Sequence, residues 1–156
     1  MTDPIIKVWS LKDWATYYSE LGLAVFPCGQ RSKTPLTPHG FKDASDLYED
    51  IDAWWIRWPE ANVGLATGKK FWVLDIDAKD GGLETLEALE AEHGPLVAPM
   101  CRTGGGGLHL FFLYDESLDI PSRQGIAKGI DVRGRGGYVI AAGSIHENGN
   151  KYEWVE

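Results

Sequence analysis

The sequence predicts one mixed domain of the α+β class, on three observations. Apolar residues recur at helical spacing over 11–21 and 83–92, the run FWVLDID (71–77) is nearly all apolar up to its two aspartates, and the residues beyond 100 break into short strand-like runs separated by glycines. With 156 residues the chain fits one domain, which at this size buries roughly 68–70% of its unfolded surface and needs no disulfide staples. A hydrophobic share of 44% beside 24% charged residues is a globular balance, not a disordered or membrane one. No apolar run approaches the ~20 residues of a membrane span, and the start, MTDPIIKVWS, lacks a signal-peptide pattern. Cys28 and Cys101 lie far apart without metal-type spacing and are expected to be reduced thiols of a cytoplasmic protein.

Each element has a local reason. Ser10 with Asp13 three residues on forms a helix start, Leu11, Trp14, Tyr17, Tyr18 and Leu21 follow on one face, and Gly22 ends it. LAVFP (23–27) is a short buried strand, and 28–45, with Pro35, Pro38 and Gly40, a loop. A second helix starts near Asp50, runs through AWWIRW and closes at Pro59. NVGLAT (62–67) and FWVLDID are strands, the second central. The helix Leu83 to Glu92 places Leu83, Leu86 and Leu89 on one face, and His93-Gly94-Pro95 stops it. LVAPMCR and LHLFFLY are strand-like runs around TGGGG. GIDVRGRGGYVIAAGS and KYEWV follow as short strands, with ENGN as a hairpin tip. The seven tryptophans belong mostly to the core; Trp54, Trp55 and Trp58 cannot all face one way on a helix, so one of them is expected to be exposed.

The net charge of −8 counts against a tight nonspecific grip on DNA, which needs many Lys and Arg contacts to phosphate. The charge is uneven, however. Acids dominate the first hundred residues, while 102–135 sets Arg102, Arg123, Lys128, Arg133 and Arg135 against Asp115, Glu116, Asp119 and Asp131. Local positive charge can serve phosphates where the global field does not.

Four places could carry chemistry. Asp75 and Asp77 are two apart in a strand, so both carboxylates project to one face with Cα atoms ~7 Å apart. They could share a pair of ions ~4 Å apart; a strand end followed by a polar turn capped by Asp77 and Asp80 explains them as well. A calcium loop of the helix–loop–helix kind is excluded, because Lys79 and Asp80 stand where an acid or amide and a glycine are needed. GLATGKK (64–70) is one spacer short of a phosphate-binding P-loop and has Lys70 in place of Ser or Thr. Thr103 followed by four glycines, Gly104, Gly105, Gly106 and Gly107, allows consecutive backbone N–H groups to converge on an anion. His109, which opens the next strand, would aim at the same region, or it is a half-buried histidine beside a flexible hairpin. Asp131 and Arg133 share a strand face and suit either a third carboxylate with its cation or a surface ion pair. Lys33 is a phosphate ligand or simply solvated.

Taken in order, LGLAVFPCGQRSKTPLTPHGFKDAS, WWIRWPEANVGLATG, VLDIDAKDGG, RTGGGGLHLFF and GIDVRGRGGYVIAAGSIHENGNKYEW resemble the bifunctional primase-polymerase (prim-pol) domain of the archaeo-eukaryotic primase superfamily. The resemblance runs over nearly the whole chain. It implies an RRM-like catalytic mixed sheet with flanking helices beside a small N-terminal α/β unit, all within residues 1–156 as one catalytic domain taken from a longer primase-helicase replication protein. It implies template-dependent nucleotidyl transfer for a phage, plasmid or other mobile element, with dNTP or NTP, single-stranded DNA template and primer, and a helicase domain as partners, and no membrane.

By the same resemblance Asp75, Asp77 and Asp131 are metal ligands for two Mg²⁺ or Mn²⁺ ions, and His109 contacts the phosphates of the incoming nucleotide. Thr103, Gly105, Gly106, Gly107, Lys33, Arg133, Gly137 and Tyr138 complete the nucleotide-binding set. The chain departs from the family where many relatives carry a hydroxyl residue before the histidine; here 104–107 are all glycine. Phosphate contact then falls to backbone N–H groups and Thr103. No zinc cluster is evident. A nucleotide- or DNA-binding module without catalysis and a metal-dependent phosphohydrolase remain as alternatives. A rolling-circle nicking endonuclease needs a second histidine, which His109-Leu110-Phe111 lacks.

Overall fold

A computed structural model describes residues 8–156. The first seven residues, part of the start that lacks a signal-peptide pattern, lie outside them. Helix α1 spans Leu11–Glu20. Its start is the box expected from the sequence: the Ser10 hydroxyl accepts the Asp13 N–H at 3.1 Å and the Asp13 carboxylate accepts the Ser10 N–H at 2.9 Å, satisfying two otherwise orphaned donors. Strand β1 is Val25–Cys28, α2 is Tyr48–Arg57, β2 is Asn62–Thr67 and β3 is Phe71–Ile76. Helix α3 is Gly82–His93, followed by β4 (Met100–Arg102), β5 (Leu108–Leu113), β6 (Arg123–Ala127), β7 (Ile130–Arg133), β8 (Gly137–Ile140) and β9 (Glu153–Trp154).

The strands form two sheets. One has the order β1-β2-β8 and the other β6-β7-β3-β5-β4-β9. The fold is α+β as expected, but the larger sheet is not mixed. Every ladder between named strands is antiparallel, and the parallel bridge between Pro121 and Arg135 stands alone. The N-terminal α/β unit is not built from the N-terminal part by itself either, because its sheet recruits β8, which pairs Val139 with Leu65. The β2 strand is buried along nearly its whole length, so it needs partners on both edges.

A first core lies between α1, α2, the smaller sheet and one face of the larger. It includes Ala15, Tyr18, Ile51, Trp55, Val63, Leu65 and Val73. The Tyr18 hydroxyl donates to the Ala142 carbonyl at 2.6 Å and accepts the Trp154 indole N–H at 3.1 Å, tying α1 to the C-terminal strands. On the opposite face of the larger sheet α3 adds Leu86 to Ile76, Leu110 and Ile130. Burying such side chains contributes roughly 1.5–3 kcal/mol each.

Several expectations need correction here. Leu86 is buried, but Leu83 and Leu89 on the same helix are 37% and 39% exposed, because α3 touches the sheet along a narrow line. Residues 95–98 are irregular rather than strand, since Pro95 and Pro99 bracket them and pairing begins at the Pro99 carbonyl, which accepts the Phe111 N–H at 3.0 Å. The exposed strand β6 has no apolar pattern that could announce it. Of the seven tryptophans only Trp55 is fully buried; Trp9 is 43% exposed, and Trp54 on α2 and Trp58 just past its end are half-buried. Among the described residues no helix is long and apolar enough to cross a membrane.

Candidate active site

Antiparallel register writes one transverse row across four strands. Asp131 on β7 stands opposite Asp75 on β3, Asp75 opposite His109 on β5, and His109 opposite Cys101 on β4. Directly opposed residues have Cα atoms ~4.5–5.5 Å apart and point to the same face. Two carboxylates and an imidazole are therefore brought together from positions 75, 109 and 131 by strand pairing alone. All three line a cleft of about 380 Å³ between the two sheets.

Arg133, two residues beyond Asp131 on the same face, closes the electrostatics. Its Nε and Nη2 donate to Asp75 Oδ2 at 3.3 and 3.2 Å, and Nη2 donates to Asp131 Oδ2 at 3.2 Å. His109 Nε2 lies 3.3 Å from Asp75 Oδ1. Burial alone would push the Asp75 carboxyl up, but the His109 hydrogen bond and the neighbouring His109 and Arg133 charges outweigh it and hold the group below the ordinary aspartate value. Asp75 is an anion committed to partners on both sides. His109 is only 6% exposed, and its Nδ1 is buried with no hydrogen-bond partner among the described residues. Asp131 also accepts the Gly125 N–H at 2.8 Å, which fixes its orientation.

Asp77 lies just past the end of β3. It lines the same cleft, and its Oδ1 accepts the Lys79 N–H at 2.8 Å in a local turn, as the polar-turn reading of this residue expects. Among the described residues no group of three or more His, Cys, Asp or Glu side chains converges tightly enough to hold a metal ion. The position between Asp75 and Asp131 is taken by the Arg133 guanidinium.

The glycine turn differs from a fully open anion nest. Gly106 N–H donates to the Thr103 carbonyl at 3.0 Å and Gly107 N–H to Thr103 Oγ1 at 3.0 Å, so two of the four N–H groups are consumed inside the turn. Gly104 and Gly105 keep theirs. A Cβ at Gly107 would run into the Ile76 carbonyl oxygen, and one at Gly104 into the His146 ring. Those two close approaches explain why glycine is needed there, whereas a Cβ at Gly105 would meet only His146 Nε2, at 3.7 Å. Thr103, Gly105 and Gly107 line the cleft; Gly106 does not, and faces an outer cavity beside Arg102 and Lys151.

The opposite wall holds Lys33, Phe41, Gly137 and Tyr138. The Tyr138 hydroxyl donates to the Lys33 carbonyl at 2.7 Å, and its ring stacks on Phe41 with centroids 6.2 Å apart. The cleft thus gathers the site candidates singled out from the sequence except Gly104 and Gly106, which line the outer cavity. It also adds Phe41 and, from one C-terminal segment, His146 and Tyr152, which sequence reasoning missed. That segment, SIHENGNKYEW, shows a hairpin tip and a short strand in sequence but not its place at the cleft, because the glycine turn that His146 packs against lies more than forty residues earlier.

The chain matches the family model for the N-terminal domain of bifunctional DNA primase/polymerase (Prim-Pol) over residues 15–156. No curated protein matches it.

Proposed function

The chain belongs to the bifunctional DNA primase/polymerase N-terminal (Prim-Pol) family, and from that premise we propose that its cleft carries out template-directed nucleotidyl transfer. The observation that carries this reading is the row Asp131–Asp75–His109 across β7, β3 and β5, lining one cleft with a cation at its centre. In the reaction the oxygen of a primer 3′-hydroxyl bonds to the α-phosphorus of a nucleoside triphosphate. The bond between the α-phosphorus and its bridging oxygen breaks, pyrophosphate leaves with the electron pair, and the hydroxyl proton is lost to water.

The donor set fits a divalent cation of the Mg²⁺ or Mn²⁺ kind. Asp75, Asp77 and Asp131 offer hard carboxylate oxygens, Asp75 is held ionised, and two of the three already gather around a positive group. When bound there, such ions would supply charge neutralisation at the attacking and leaving oxygens. The protein's own groups do the rest. Arg133 offers a planar guanidinium that phosphate oxygens can take over from the aspartates. Gly105 presents a free N–H group to the substrate's oxygens. His109 holds Asp75 from the β5 side, and its near-complete burial makes it a positioning group for that carboxylate. Phe41 and Tyr138 give an aromatic wall suited to base or sugar.

A second reading, a nucleotide-binding replication module without catalysis, draws on one observation. Arg133 bridges Asp75 and Asp131, and Asp77 is turned into its own loop. One assay separates the two: labelled dNTPs and NTPs with single-stranded template, with and without primer, under Mg²⁺ or Mn²⁺. Extension that Asp75→Asn and Asp131→Asn each reduce at least ~100-fold supports catalysis. Triphosphate binding with no extension under either metal supports the module, and extension by both variants at the wild-type rate would remove the active-site assignment.

A further inference from the structure

His146 stands in the wall between two cavities. One is the carboxylate cleft; the other, of about 320 Å³, is lined by Arg31, Lys33, Thr34, Glu147 and Tyr152. Lys33, His146 and Tyr152 line both, so the two spaces adjoin at these side chains.

The state of the His146 ring follows from its contacts. The Asn148 N–H donates to Nδ1 at 3.1 Å, which makes Nδ1 an acceptor and leaves the ring proton on Nε2. The ring is clamped against Gly104, and Nε2 lies beside Gly105. Among the described residues no acceptor takes the Nε2 proton, although His146 is half-buried. The surroundings hold other unspent donors. The Gly105 N–H is free, the Tyr152 hydroxyl has no hydrogen-bond partner while its ring is buried, and Lys33 and Arg31 make no ion pair among the described residues. Glu147 is the single acid lining the second cavity. A ring N–H held in place, a backbone N–H and two cations without ion pairs among the described residues, gathered where the two cavities adjoin, are the complement of a multiply charged anion.

We propose that His146 is a specificity-determining contact for the distal phosphates of a nucleoside triphosphate, with Arg31 and Lys33 beyond it, and that it selects triphosphates over monophosphates. The proposal rests on the nucleotidyl-transfer reading, which puts the α-phosphate at the aspartates. The glycine turn and His146 then give the rest of the triphosphate a polar route toward the second cavity. Arg31 holds a left-handed backbone at φ 51°, an uncommon conformation for a side chain other than glycine or asparagine, at the edge of that cavity.

Equilibrium titration of the full chain with inorganic tripolyphosphate, dATP and dAMP tests the proposal. His146→Ala is expected to weaken tripolyphosphate and dATP about 10-fold, as loss of one well-placed donor does, with dAMP unchanged. His146→Gln, which restores an N–H, is expected to recover most of that loss. Gly105→Ala tests the same contact without changing the His146 side chain, since its methyl group would lie 3.7 Å from Nε2 and crowd an oxygen bound there; the same selective weakening is expected. Tripolyphosphate bound equally by the wild type, His146→Ala and Gly105→Ala overturns the proposal, and so does a loss that falls equally on dAMP. If triphosphate binding depends on His146 but primers are not extended, catalysis fails and this contact stands. If primers are extended while His146→Ala keeps the wild-type KM for dNTP, the contact fails and catalysis stands.

Discussion

Arg133 reaches Asp75 through two nitrogens, Nε at 3.3 Å and Nη2 at 3.2 Å, both on the single oxygen Oδ2. The same Nη2 also serves Asp131 at 3.2 Å, so one guanidinium neutralises two carboxylates that strand register forces to face each other. Removing it leaves like charges side by side in a partly buried place. Arg133→Gln is expected to lower stability by about 1–3 kcal/mol in chelator-treated buffer. Added Mn²⁺ is expected to raise the melting temperature of the variant more than that of the wild type. Equal Mn²⁺ shifts in both proteins would show that Arg133 and a cation do not share this position.

Asp75 gives a pH dependence with a definite sign. Its carboxyl is desolvated, which raises its value, yet His109 and Arg133 bring it below that of a free aspartate. A folded value below the unfolded one, about 3.9, stabilises the fold fully above that pH, and the contribution is lost as pH falls through the folded value. Urea unfolding of wild type and Asp75→Asn from pH 7 down to pH 2.5 is expected to show the wild type losing stability relative to the variant below about pH 4. A gap that stays constant over this range contradicts the ion-pair account.

The glycine turn separates residues that need glycine from one that does not. Gly107→Ala drives a methyl group into the Ile76 carbonyl oxygen at the end of β3 and is expected to cost about 1–3 kcal/mol. Gly105→Ala makes an ordinary contact and is expected to change stability by less than about 0.5 kcal/mol. Thermal melts followed by circular dichroism measure both; equal destabilisation would refute the close approach.

Cys28 and Cys101 are free and buried, and burial pushes both thiols up to about 12. They are expected to resist an aromatic disulfide reagent at pH 8 in the folded state and to react together once urea unfolds the chain. Rapid reaction of either thiol in the native protein would mean that its surroundings open.

Much of the fold was legible in local sequence because local physics decides it. Ser10 and Asp13 cap α1 from three residues apart, β2 coincides with NVGLAT, and the apolar run of β3 marks the centre of the larger sheet. Where contacts are thin or distant the reading was weaker. Strand β6 carries no apolar face, Leu83 and Leu89 repeat at helical spacing yet stay exposed, and β8 joins β2 across seventy residues.

The candidate site divides along the same line. By itself the sequence determined the chemical types and much of the local geometry: two carboxylates at the end of one strand, a glycine turn ahead of a histidine, an arginine two residues beyond a third carboxylate, and the family to which they belong. Only the tertiary structure decided which of these touch. Strand register set Asp131, Asp75 and His109 in one row and turned His109 toward Asp75. The packing of the C-terminal hairpin brought His146 onto Gly104 from more than forty residues away. Periodicity fixes which face a side chain takes; pairing between distant segments fixes its neighbours, and no spacing within either segment encodes them.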